Sequence, residues 1–192
     1  MPDDDFGYTA WGRDWVRLAQ PLRQTRPEPV LPRARKLARA GGVQVTIDGR
    51  TVRGVVQRGR TASVACIEVA PMPWDTIAGI TGQLSGTRPV LTDEVHRAIT
   101  EAGHRPTPIL ARVDCSCSDD TGRCIHVLAV YYEMARHVDD DPRIALDVQE
   151  FFNISSGSTV SSNSTPVPTA ALPQRWIALN ALDPADYFTV SK

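Results

Sequence analysis

No stretch of this 192-residue chain approaches the ~18 uninterrupted apolar residues that a membrane-spanning helix requires. The opening MPDDDFGY has neither the basic start nor the apolar run of a secretory signal. These two absences lead to the expectation of a cytoplasmic protein with no membrane partner, a compartment in which thiols stay reduced. Also missing are a Gly-rich phosphate loop, a nucleophile elbow and an HExxH pair, the motifs by which many catalytic centres announce themselves. Net charge is nearly absent too, 21 Lys/Arg standing against 22 Asp/Glu, so the whole molecule is neither a polyanion nor a polycation. Cysteine is scarce: there are 4, and three of them fall between positions 115 and 124.

What is present is unevenly spread. Residues 1–63 hold 12 Lys/Arg and 6 Asp/Glu, net +6, and the rest of the chain is net −7. Arg33, Arg35, Lys36 and Arg39, with Arg50, Arg53, Arg58 and Arg60, form the candidate nucleic-acid surface. The same residues could instead pair with the chain's own acidic half or form an ordinary solvated face. The 15 prolines exceed the usual share of about 5%, which suggests a folded part joined to extended stretches.

The pattern along the chain reads as α+β. Trp11, Trp15 and Leu18 are at helical spacing, and Pro21 should end that helix. Residues 26–32 hold three prolines and read as an extended connector. RARKLARAGG is a short basic helix stopped by glycine. VQVTI and TVRGVVQ flank Asp48-Gly49, a hairpin signal, and TASVACIEVA supplies the third strand of an antiparallel meander. Trp74 opens a weaker helix. Thr92 is a good N-cap for the stripe Val95, Ala98, Ile99, Ala102, stopped at Gly103. Residues 109–113 form a short strand that leads into the cysteines. The segment after Cys124 is apolar almost all round and should be a central buried helix. Asp141-Pro142 then starts another helix.

The segment CSCSDDTGRCIH carries the chemistry. Cys115, Cys117, Cys124 and His126 have the spacing Cys-x-Cys-x6-Cys-x-His, three thiolates and an imidazole that can surround Zn2+ as a tetrahedron. Side chains at i and i+2 of an extended strand point to one side. Asp119, Asp120 and Gly122 suit the reversing turn between the pairs. Residues two apart on a helix are ~200° apart around its axis, so Cys124 should precede the helix and His126 lie in its first turn. Arg112 and Arg123 flank the motif and could offset its net negative charge. Cys-x-Cys geometry is poor for a disulfide, and an iron–sulfur cluster more commonly takes four cysteines. Four protein ligands leave no open position for substrate or activated water, so no enzymatic activity is expected.

The motif, followed at once by the apolar VLAVYYEMA, resembles the SWIM-type zinc finger. FGYTAWGRDWVRLA, ARAGGVQVTIDGRTVRGVVQ and VACIEVAPMPWDTI are similar to actinobacterial SWIM-finger proteins, and the resemblance covers residues 6–148. It implies that Cys115, Cys117, Cys124 and His126 match the ligand positions. It also implies a non-enzymatic module that contacts DNA or proteins, such as an accessory to a Swi/Snf-type helicase. Where many relatives have Pro-Cys-Lys-His, Arg-Cys-Ile-His stands here, without the lysine cation.

The expected organisation is a helical, basic segment 1–40 and an α+β domain 41–152 with its finger at about 109–138. A Ser/Thr/Pro-rich linker 153–175 and an apolar peptide 176–192 follow, the two forming a disordered tail. The peptide either docks back on the domain or binds a protein partner, which gives the alternative function of an adaptor without DNA binding. Cys66 is expected as a small buried apolar residue. His137 lies ~16 Å along the helix from His126, too far to share its metal. His96 and His104 are expected at the surface, and Asp139, Asp140 and Asp141 at a helix end.

Overall fold

The computed structural model describes residues 6–20, 28–84, 89–117 and 122–155. These belong to one compact unit, Met1–Ser158. The expected C-terminal peptide and all of the linker beyond Ser155 lie outside the described residues.

Four strands form an antiparallel sheet in chain order: β1 Val43–Asp48, β2 Thr51–Arg58, β3 Thr61–Val69 and β4 Leu110–Cys115. Both hairpin loops are Gly-Arg pairs. Asp48 pairs with Thr51 around Gly49-Arg50, and Arg58 pairs with Thr61 around Gly59-Arg60. Gly49 and Gly59 have φ of 53° and 60°, the left-handed values that a side chain resists. The first loop therefore sits one residue beyond the expected Asp48-Gly49. The meander has a fourth strand beyond the expected three. The segment before the cysteines pairs with β3 along Ala65↔Cys115 and Ile67↔Val113, a long-range partnership that local pattern does not carry.

Alternation along each strand sets the two faces of the sheet. Val52, Val56, Ala65, Ile67 and Val69 are buried, whereas Arg53, Gln57 and Cys66 point the other way. The buried face meets α5 Ile125–Asp140, whose Val127, Leu128, Val130, Tyr131, Met134 and Ala135 are all buried. The all-round apolar pattern is thus the mark of a central helix. Gly54 lies directly under Val130, where a Cβ would collide with Cγ2.

α1 Ala10–Ala19 and α2 Leu31–Arg39 pack on α5. Thr9 caps α1, its hydroxyl accepting from Gly12 N, and Trp11 and Trp15 are buried as their spacing predicts. α2 starts earlier than expected: Pro32 lies inside its first turn, where the missing N–H has no intrahelical partner to lose. α3 Trp74–Gln83, α4 Asp93–Glu101, α6 Arg143–Asp147 and α7 Phe151–Ser155 complete the unit. Thr92 caps α4 through Val95 N, as expected. α7 carries helix into the first positions assigned to the linker. Among the described residues no helix is long and apolar enough to cross a membrane.

Candidate metal centre

The end of β4 and the start of α5 bring four donor atoms together. Those of Cys115, Cys117, Cys124 and His126 all lie within 4.8 Å of one another. Cys115 is the last residue of β4, and Ser116 continues the pairing, its N–H donating to Val64 O at 2.8 Å while its Oγ accepts from Val64 N at 2.9 Å. Cys124 is the N-cap of α5 and His126 lies in the first turn, the arrangement that the helix geometry requires. Cys124 Sγ accepts from Val127 N at 3.5 Å, so the free amide end of the helix faces the sulfur. His126 presents Nδ1, which is 3.8 Å from Cys115 Sγ.

A tetrahedron with metal–sulfur bonds of about 2.3 Å has edges of about 3.8 Å, so donors at this spacing need only small adjustments to share one ion. The cluster could hold a metal ion. Burial governs the titration of these donors. Burial pushes the Cys115 thiol up to about 12, the nearby Cys124 adding to it. Burial also raises Cys124. Burial, and then the Arg58 guanidinium, hold His126 below its ordinary value. The pocket therefore favours neutral thiols and a neutral imidazole until a dication compensates the thiolates.

The flanking arginines take roles other than those expected. Arg112 pairs with Asp114 at 2.6 Å on the outer face of the sheet. Arg123 turns toward α1 and Glu28. The cation felt by His126 is Arg58, at the far end of β2.

The basic residues do not share one face. Lys36 and Arg39 lie in the last turn of α2, and Gly42 just beyond it accepts from Gln57 N at 2.7 Å, beside Arg58. The end of α2 that carries Lys36 and Arg39 and the hairpin that carries Arg58 and Arg60 therefore lie toward the end of the sheet that holds the cysteine cluster. Arg33 and Arg35 are on the earlier part of α2, with Arg35 over the Tyr132 ring at 5.4 Å. Arg53 projects from the outer face, next to Cys66 and in line with Asp114. Arg50 lies at the opposite end, 3.7 Å from Glu68 and 3.4 Å from Glu150, so part of the basic half does pair with the acidic half.

Of the other expectations, some hold and some need revision. His96 is buried, not exposed: its Nε2 is 2.9 Å from Asp14 Oδ2, which also accepts from Thr107 Oγ1 at 2.9 Å. Trp11 meets the His96 ring edge-on with centroids 4.9 Å apart. His104 is half-buried against Gly79. Cys66 is half-buried on the outer sheet face, outside the cluster. His137 lies 3.5 Å from Glu133 and takes no part in the cluster. Asp141 accepts from Arg143 N at 3.0 Å, the helix-start role assigned to it. Asp139 instead is buried and holds the N-terminal segment, accepting from Gly7 N at 2.6 Å and Thr9 N at 2.9 Å. Nothing local in the sequence marks Asp14, His96 or Asp139, because their partners are 82 to 132 residues away.

No family model, curated protein or solved structure matches this chain.

Proposed function

We propose that Cys115, Cys117, Cys124 and His126 hold a structural zinc ion as a SWIM-type finger in a non-enzymatic protein that contacts nucleic acid. The observation that carries the metal part is the convergence of four donors within 4.8 Å at the end of β4 and the start of α5. Three sulfurs and one imidazole match the ligand preference of zinc over the harder, oxygen-seeking cations. All four tetrahedral positions are filled by protein, so the ion stabilises the junction of β4 and α5 and activates no water.

The nucleic-acid part is supported by Lys36, Arg39, Arg58 and Arg60 at the metal-bearing end. A helix end and a hairpin tip converging there give cations on two separate elements, which suits phosphate contacts along a strand. Service to a Swi/Snf-type helicase as an accessory module follows from the resemblance of the motif. The alternative is a protein-binding adaptor. The outer sheet face favours it, because Arg53 and Arg112 there alternate with Asp48, Glu68 and Asp114 and offer a polyanion no uniform field.

The test is titration of a labelled DNA duplex at low and moderate salt, with Arg58→Ser and Arg60→Ser combined. Binding should weaken steeply with salt, and the double variant should reduce the salt slope by about 2, roughly 0.9 per lost phosphate contact. Absent or salt-insensitive binding would turn the assignment to the adaptor.

A further inference from the structure

Arg123 stands between Gly122, whose φ of 66° turns the chain, and the cluster residue Cys124. Its Nη1 donates to Leu18 O at 3.3 Å and Nη2 to Ala19 O at 2.7 Å. Nη2 also meets Glu28 Oε2 at 2.7 Å. The two carbonyls belong to the last turn of α1, and the last carbonyls of a helix lack intrahelical partners. Glu28 lies just ahead of α2, its own carbonyl accepting from Leu31 N at 3.1 Å. One planar fork thus ties the end of one N-terminal helix to the approach of the next, a geometry that a lysine cannot reproduce.

We infer that Arg123 is a positioning residue for the metal centre, through which metal occupancy and the docking of α1 and α2 control each other. The inference rests on the metal reading above. Cys124 reaches its ligand position when the peptide before it is fixed, and the Arg123 clamp fixes that peptide. In return, a metal–sulfur bond at Cys124 keeps Arg123 within reach of Leu18, Ala19 and Glu28. Linkage is reciprocal: whatever the clamp adds to metal affinity, the metal adds to the clamp. α2 carries Lys36 and Arg39, so the metal also sets a basic surface it does not touch.

The experiment compares zinc affinity, by competition with a chromophoric chelator, for the full chain and for Arg123→Met and Arg123→Lys. Hydrogen exchange of the same proteins, with and without zinc, reads α1 and α2. Arg123→Met should lose about tenfold in zinc affinity, in the range of an outer-shell partner, and Arg123→Lys should fall between it and the parent. Zinc should slow exchange in Ala10–Ala19 and Leu31–Arg39 of the parent, and much less in Arg123→Met. A merely structural role would lower the melting temperature and leave zinc affinity unchanged.

Should Arg123→Met fail to fold, Glu28→Gln makes the same test, with affinity reduced by about threefold. Equal zinc affinity in the parent and in the folded variant would overturn the coupling alone. A parent that takes up no zinc would overturn the metal reading and the coupling with it.

Discussion

Asp139, near the end of α5, receives Thr9 twice on one oxygen: Oδ1 accepts from the threonine backbone N at 2.9 Å and from its hydroxyl at 2.7 Å. The same hydroxyl accepts from Gly12 N at 2.9 Å, so the cap of α1 is itself held by the central helix. Oδ2 takes Gly7 N at 2.6 Å. A buried carboxylate with this many amide and hydroxyl donors fixes where the chain enters the fold.

Asp139→Ala should therefore destabilise the protein by about 3 kcal/mol, the scale of losing charge-assisted hydrogen bonds and leaving their donors buried. Asp139→Asn should cost less, since its amide keeps one acceptor oxygen. Urea unfolding of the three proteins checks the order. An alanine variant as stable as the parent would show that Gly7 and Thr9 find other partners.

Two glycines should respond in opposite directions to alanine. At Gly54 the added methyl meets Val130 under the sheet, and overpacking of this kind costs about 1–3 kcal/mol. Gly82, in α3, has open space around its Cβ position. Alanine there should stabilise by up to about 1 kcal/mol through helix propensity. Thermal melts of Gly54→Ala and Gly82→Ala read both, and a stable Gly54→Ala would refute the close approach of α5 to β2.

Metal uptake should release protons. Burial raises Cys115 and Cys124, so both enter as thiols at pH 7, while His126, held below its ordinary value, enters as neutral imidazole. Binding as thiolates then liberates at least two protons per ion. Calorimetry of zinc binding in buffers of different ionisation enthalpy counts them, and a count near zero would mean that the thiols do not ligate.

The same shifts give the metal-free protein an alkaline weakness. Cys115 and Cys124 have folded values raised above the unfolded one of about 8.5, so their contribution to stability is intact below that pH. It is lost as pH rises, the loss at Cys115 continuing toward about 12. With chelator present, melts at pH 7 and pH 10 should differ in favour of pH 7. The metal-loaded protein, its thiols already ionised, should lack that component of the difference.

Much of this architecture is legible in the residues because the signals are local. Asp48, Gly49 and Gly59 punctuate a meander, Thr92 caps a helix, and the apolar circumference of residues 127–135 marks the central one. The cluster is legible for the same reason, since Cys-x-Cys at a strand end and Cys-x-His at a helix start need only one turn between them. What is not legible is partnership across the chain. The fourth strand depends on β3, Asp14 on His96, Asp139 on Gly7 and Thr9, and Arg123 on the end of α1. Pro32 misleads because proline marks both connectors and first helical turns, and only packing on α5 distinguishes them. The eight basic residues look alike in sequence, yet topology divides them among helix α2, both ends of the sheet and its outer face.

The most direct test is the metal content of freshly purified, reduced protein, with Cys124→Ala in parallel and a thermal melt of each. The account predicts one zinc per chain in the parent, and its loss in the variant together with a clear fall in melting temperature, because binding at such a site is folding free energy. A well-folded parent with no stoichiometric metal, melting at the same temperature as Cys124→Ala, would contradict it.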